Sequence, residues 1–507
     1  MRTFSLQHLG VAALKPLSRC LSIALAMPVA AAVAHATDRA PPSAHIRAIL
    51  ERTPPAVPAD SVAVTNCNDS GPGSLRDAAT NAVDGETIDL TQTGCSEITL
   101  TTGSIVIAAN SLTLQGPGAL SLTISGDYIY SPLEHIQDGV LAVNDLTIRD
   151  GHKYFDNDQL APAKGGCVSS NGTVSLSHTW VTNCHVNNSS GSYGALGGGV
   201  YAYTAVSMSN SVVTDNRASA YRQYAYGGGV YSHGSLTVID SVISGNVTEM
   251  FLGTSAGAGA AVGYHNRSGR DSVIKYSTID GNEANGYLSD LNIGGGLVLT
   301  GDVTILATTV SNNVADYTGG LVLKPDSYTS APWILQNSTI SGNQAARGMT
   351  ALFSGANAID ISNSTIAFNE TYGLLYGSAL FIQTTADLES TIVVDNVQIG
   401  AERQENDIGG ASGATLTGAG DLIGFSLLGL PGDTIRTDPL LQPLAYNGGP
   451  TRTHALPVGS AAVDAGNDVA GLTYDQRGGG HPRVIGSGPD IGAFELDPDA
   501  IFANGFD

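Results

Sequence analysis

Between residues 475 and 495 the chain gathers the side chains that acid–base chemistry uses: Asp475, Arg477, Arg483, Asp490 and Glu495. Carboxylates beside guanidinium groups can hold a substrate and move its protons. Their spacing suits a salt-bridged terminal cap better, because both signs of charge alternate within one short segment. Tyrosine supplies a second candidate. Tyr201, Tyr203, Tyr221, Tyr224, Tyr226 and Tyr231 crowd into about one repeat of the chain. Such rings form either a platform for sugar rings or a partner surface, or packing beneath the long loops at 186–196 and 217–226. Tyr201, Tyr203 and Tyr231 are the candidate ligand contacts. Cysteine is the third chemistry: after the first 36 residues Cys67, Cys95, Cys167 and Cys184 remain. An even count in an exported chain implies disulfides. Proximity suggests Cys67–Cys95 and Cys167–Cys184, with other pairings left open, and no spacing looks like a zinc site.

The elements that position these residues are read from a repeat. Seven times between residues 174 and 369 a short alternating strand ends in Ile or Val and is followed three positions later by Asn, or by Cys in the first instance. The pairs are Val181/Cys184, Val213/Asn216, Ile243/Asn246, Ile279/Asn282, Val310/Asn313, Ile340/Asn343 and Ile366/Asn369, with Ile392/Asp395 as a degraded eighth. Successive members lie 26 to 36 residues apart, the period of a solenoid unit. Earlier in each unit an apolar i, i+2 pair shares one face, so Leu236 and Val238 point inward while Thr237 points out. Glycines open each unit, as in Gly197-Gly198-Gly199-Val200 and Gly227-Gly228-Gly229-Val230. Three strands per turn, stacked in register, predict an all-β, right-handed single-stranded parallel β-helix. Asn tolerates the left-handed backbone of a tight corner and its amide can bond to the next layer. Asn216, Asn246, Asn282, Asn313, Asn343 and Asn369 are therefore expected to form an inward ladder. Cys184 takes the ladder position in the first of these coils, and Cys167 replaces a glycine of the opening column.

Composition fits this reading. Glycine at 63 of 507 residues and a charged fraction of 13% suit short strands and tight corners, against roughly 25% charge in an ordinary domain. Positions 98–398 would hold on the order of ten coils, about 50 Å at one strand spacing each. Residues 1–36 carry Arg2, Lys15 and Arg19, an apolar run from Leu21 to Val33, and Ala34-His35-Ala36, the pattern of a secretory signal peptide. Removing them takes away three basic residues and no acidic one, which moves the formal charge from −23 to −26. That balance disfavours nucleic acid and anionic lipid as partners. Solubility accounts for it, and calcium bound at the surface is the alternative. No later stretch has the length of a membrane span. The expected organisation is signal peptide 1–36, linker 37–62, N-terminal cap 63–97, β-helix 98–430, C-terminal cap 431–497 and tail 498–507.

The alternation of Gly227-Gly228-Gly229-Val230 with Ile243-Ser244-Gly245-Asn246 resembles the repeats of chlamydial polymorphic membrane proteins, where Phe stands in place of the Ile. Fewer than 115 residues follow Asp395, and they lack the strands of that family's membrane barrel. Cys67-Asn68-Asp69 with Gly73-Ser74-Leu75-Arg76-Asp77-Ala78 is similar to the Cys-Ser-Leu-Arg-Glu-Ala segment that opens many secreted bacterial β-helix proteins. The resemblance implies a short helix near Leu75–Ala82 covering the first coil. Asn447-Gly448-Gly449-Pro450-Thr451, His454-Ala455-Leu456, Asp464-Ala465-Gly466, Asp475-Gln476-Arg477-Gly478 and Asp490-Ile491-Gly492-Ala493-Phe494-Glu495 together resemble the choice-of-anchor Q domain, found on exported bacterial proteins that end in differing sorting tags. The tail Ile501-Phe502-Ala503-Asn504-Gly505-Phe506-Asp507 is similar to short C-terminal tags on exported proteins of gamma-proteobacteria. These resemblances imply a pectin-lyase-like fold with caps, exported to the outer-membrane surface or beyond it in a Gram-negative bacterium.

The fold class includes pectate lyases and polygalacturonases, so a polysaccharide lyase or glycoside hydrolase is the alternative function. Polygalacturonase-type hydrolysis needs carboxylates in Asn-Thr-Asp, Asp-Asp and Gly-His-Gly settings. Only Gly151-His152 after Asp150 approaches one of them. The lysines Lys153, Lys164, Lys275 and Lys324 fall in different coils without an acidic cluster. The expectation is a structural, adhesion or binding protein with no catalytic, cofactor or metal residues. Its expected partners are glycans or surface proteins, and its expected state is a monomer.

Overall fold

The computed structural model describes residues 42–154, 161–188, 193–263, 271–287, 291–348, 351–372, 378–400, 402–467 and 470–499. The expected signal peptide, residues 37–41 of the linker and residues 500–507 of the tail lie outside the described residues. From Ser43 onward the chain falls in one compact unit.

A full coil contributes to four sheets rather than three. Ala205–Ser209 belongs to the first sheet, Val212–Thr214 to the second, Arg217–Tyr226 to the third and Val200–Ala202 to the fourth. The third sheet arises because the chain stays extended after each ladder position instead of turning at once. The first sheet has thirteen strands, the second twelve and the fourth eleven. Neighbouring strands pair in parallel, except that Arg403–Glu405 folds back antiparallel on Val397–Ile399 and closes the C-terminal edge of the third sheet. Parallel neighbours one coil apart require a crossover, which is right-handed for twisted strands of L-residues.

Register follows the sequence columns. Val206 pairs with Leu236 and Leu236 with Ser272; Val213 pairs with Ile243 and Ile243 with Ile279. All are buried, and all but Ser272 belong to one continuous apolar core. Each full side-chain burial contributes about 1.5–3 kcal/mol. The eighth repeat is one residue later than the sequence suggests. Ile366 pairs with Val393, not Ile392, so Asn396 rather than Asp395 holds the ladder position.

The ladder has a fixed polarity. The backbone N–H and Nδ2 of Asn216 both donate to Oδ1 of Asn246, at 3.1 and 3.0 Å, and Nδ2 also donates to the Val181 carbonyl of the preceding coil. The same triple bond set recurs at Asn246, Asn282, Asn313, Asn343 and Asn369. Asn396 then donates twice to Oδ1 of Asp407, an acceptor-only side chain that ends the series. The left-handed corner lies one residue before each Asn: Asp215, Gly245, Gly281, Asn312, Gly342, Phe368 and Asp395 have φ between 55° and 67°. The Asn itself is free to aim inward. Its amide lies against the third glycine of the opening column; a Cβ at Gly229 would stand 2.8 Å from the Asn246 amide carbon. In the coil before Asn216 that contact is replaced by the Cys167–Cys184 disulfide, with Cα atoms 5.5 Å apart. The Cys67–Cys95 disulfide, at 6.3 Å, ties the N-terminal cap.

A second ladder runs through Thr179, Ser211, Ser241, Ser277, Thr308, Ser338 and Ser364, each hydroxyl accepting the backbone N–H of the preceding member. In the next coil Thr391 stands at the same place, and Asp421 takes its N–H at 2.8 Å. Both ladders therefore close on a buried aspartate.

Helix α2, Leu75–Asn81, starts from a Ser74 N-cap and sets Leu75, Ala78 and Ala79 over the first core layer. At the other end Leu428 and Leu430 pack against the core. Ile435 pairs with Leu422 and so covers the edge of the last coil, whereas residues 450–497 lie elsewhere. They run back along the outer face of the second sheet, where its Thr row offers hydrogen-bonding groups. Thr309 donates to the Arg452 carbonyl at 2.6 Å, Thr339 to Gln476 Oε1 at 2.6 Å, and the Ala493 N–H donates to Thr365 at 3.1 Å. Within the linker range, Ala44–Leu50 forms helix α1 and buries Leu50 against Val212 and Val242 of the same sheet. Arg52 clamps the buried Asp145 through two bonds of 2.8 and 2.6 Å.

Candidate functional site

The tyrosines separate into two groups. Tyr201 and Tyr231 are 2% and 6% exposed, stacked at 5.8 Å beneath Leu196, Tyr224 and Tyr226. The extended strands of the third sheet overhang the fourth and shut these two rings in, so they form no platform. Tyr203, 45% exposed, stacks at 4.4 Å on His233.

The exposed rings lie where the third sheet is longest. Arg217–Tyr226 and Val247–Ala256 are ten-residue strands paired along their length, and they lift Tyr221, Phe251 and Leu252 into solvent. Tyr221 stacks on Phe251 at 5.0 Å, and Phe251 meets Tyr287, 79% exposed, at 6.3 Å. Leu291 extends the stripe. Sequence composition alone does not single out Phe251, Leu252, Tyr287 and Leu291. The signal existed: Tyr221, Phe251 and Tyr287 are separated by 30 and 36 residues, the offsets of Val213, Ile243 and Ile279.

The titratable groups are mostly committed to structure. Arg477 donates from Nε and Nη2 to Asp475 Oδ2 at 2.9 and 2.7 Å and lies 3.9 Å over the Phe494 ring. Arg483 reaches the Gly492 carbonyl at 2.9 Å and Glu495 at 3.4 Å. Both Glu495 oxygens accept backbone N–H groups, from Ile485 and Asp490, at 2.8 Å. Desolvation pushes the Glu495 carboxyl up to about 7, aided by Asp490. The five charges pin the C-terminal segment together. Asp407 and Asp421 are raised by burial to about 6 and about 8.

His152 and His185 stack at 5.1 Å, and His185 Nε2 meets Ser219 Oγ at 2.6 Å. Burial, then the charges of His152 and Arg217, depress His185 to about 3. An imidazole so reluctant to take a proton is a poor general base at neutral pH. Lys153 pairs with Glu134, Lys164 lies 4.8 Å over Tyr201, and burial lowers the pKa of Lys164 and Lys324. Among the described residues no group of three or more His, Cys, Asp or Glu stands together to hold a metal ion, and no helix is long and apolar enough to cross a membrane.

No family model and no curated protein matches the chain. Among solved structures it is similar to pectate lyase Pel9A, at 12% identity and a TM-score of 0.36, over 86% of this chain and 97% of that one.

Proposed function

We propose that the chain is an exported β-helix protein of the cell exterior that binds a surface or a matrix partner through the open flank of its third sheet. The observation that carries this is the stripe of Tyr221, Phe251, Leu252, Tyr287 and Leu291, large apolar side chains held in solvent on a rigid base. A contiguous apolar patch of this kind marks an interaction site. The signal-peptide pattern of residues 1–36 would export the chain, and two disulfides fit an extracellular protein. The choice-of-anchor Q resemblance and the terminal tag would place it at the outer-membrane surface.

Two measurements test the reading. N-terminal sequencing of the protein from the culture or envelope fraction should begin at Thr37; an intact Met1 in the cytoplasm would sink the export claim. Retention on immobilised cell envelopes and matrix polysaccharides should fall at least about tenfold in Phe251→Ser/Leu252→Ser, which is the equivalent of about 1.4 kcal/mol. Unchanged retention would remove the stripe.

A further inference from the structure

The second flank is covered from both chain ends, but not completely. Between helix α1 and the start of the C-terminal run lies a cavity of about 250 Å³, lined by His45, Ile49, Asn210, Asp240, Tyr276 and Pro450. Its walls are partly apolar and its polar groups converge, the usual make-up of a small-ligand pocket. His45 Nε2 is buried with no hydrogen-bond partner. Its ring rests against Tyr446 at 4.7 Å, and burial with the nearby Arg452 charge lowers its pKa, so the imidazole is neutral and can donate or accept. Leaving such an atom unpaired costs on the order of 1–3 kcal/mol.

Tyr276 decides the ligand class. It occupies a left-handed corner, φ 52°, in a column where His178, Asn210, Asp240, Ala307, Asn337, Asn363 and Ser390 have φ of 46° to 54°. Asn and Asp tolerate that geometry, whereas a bulky ring there is strained by about 1–3 kcal/mol. Tyr276 is 38% exposed and shares no ring stack among the described residues. Tyr221 and Phe251, by contrast, spend faces on each other. A ring with a free face, beside a carboxylate, an amide and a neutral imidazole, matches a sugar: its C–H face lies on the ring and its hydroxyls reach the polar groups. Asp240 and the net charge of −23 oppose an acidic sugar. Arg452, close enough to act on His45, opposes an ammonium group.

We infer that this cavity is a subsite for one uncharged sugar residue of a glycan. The inference rests on the chain being a binding β-helix but uses a different flank from the ring stripe. Calorimetric titration of the full chain with maltopentaose, cellopentaose and laminaripentaose, and with trigalacturonate as the acidic probe, tests it. At least one neutral oligosaccharide should bind and trigalacturonate should not. Tyr276→Asn, which suits the left-handed corner and so keeps the fold, and Asp240→Asn should each weaken binding at least about tenfold, with a melting temperature no lower than that of the wild type. Absence of binding by all three neutral probes, equal binding of trigalacturonate, or unchanged affinity in Tyr276→Asn would overturn the subsite. Envelope retention measured on the same samples separates the two claims: retention kept while all oligosaccharides fail removes the cavity and spares the stripe.

Discussion

The second and third sheets are built from adjacent strands of the same coils, yet one flank is largely covered and the other open. On the second, the outward Thr and Ser row is taken up by the chain's own ends, through α1, Arg452, Gln476 and Ala493. On the third, strands lengthen to ten residues and carry rings into solvent. The ladder Asn stands at the corner between them. The interior is nearly invariant from coil to coil, so what each flank does is set by the residues facing outward and by what the termini cover.

The largest effect should come from the covered flank. Arg483→Ala leaves Glu495 and Asp490 buried without their guanidinium partner, and removing one member of a buried pair costs about 3–5 kcal/mol; urea unfolding should show this, with the C-terminal segment becoming protease-sensitive first. Next is the corner the flanks share. Asn282→Leu strands the Oδ1-seeking donors of Asn246 and removes two donated bonds, so about 1–3 kcal/mol should be lost. A loss below 0.5 kcal/mol would leave the ladder no role in stability.

Acidity sharpens the contrast further. Glu495, Asp407 and Asp421 have folded pKa values raised to about 7, 6 and 8, so in the window above their unfolded values the native state holds more protons. Their contribution is full only below about pH 4 and is lost as pH rises through about 6 to 8. Asp69 runs the other way: hydrogen bonds from Thr102, Arg76 and Thr101 outweigh desolvation and bring it to about 2, so its stabilisation is lost as pH falls below about 4. Melting temperature should therefore drop from pH 5 to pH 8, and Asp421→Asn should flatten that slope. The smallest effect belongs to the open flank, where Phe251→Ser/Leu252→Ser should change stability by no more than about 0.5 kcal/mol.

The core was legible because each coil restates it: the Ile or Val before the ladder, the inward pair at Leu236 and Val238, and the glycine facing each amide recur at fixed offsets. One weak repeat, Ile392-Val393-Val394, offered no contrast between neighbours, and the register there slipped by a residue. The flanks were not legible. Tyr201 and Tyr231 share a column with outward residues, and only the overhang of Tyr224 and Tyr226 buries them. The path of residues 431–497 depends on contacts such as Thr309–Arg452, which no local pattern encodes.

We propose that the β-helix binds without transforming what it holds. Incubating the wild-type protein with neutral and acidic polysaccharides, and following reducing ends and unsaturated uronates in the supernatant, tests it directly. Retention on at least one surface with neither product released is the predicted result; steady release of either product would contradict it.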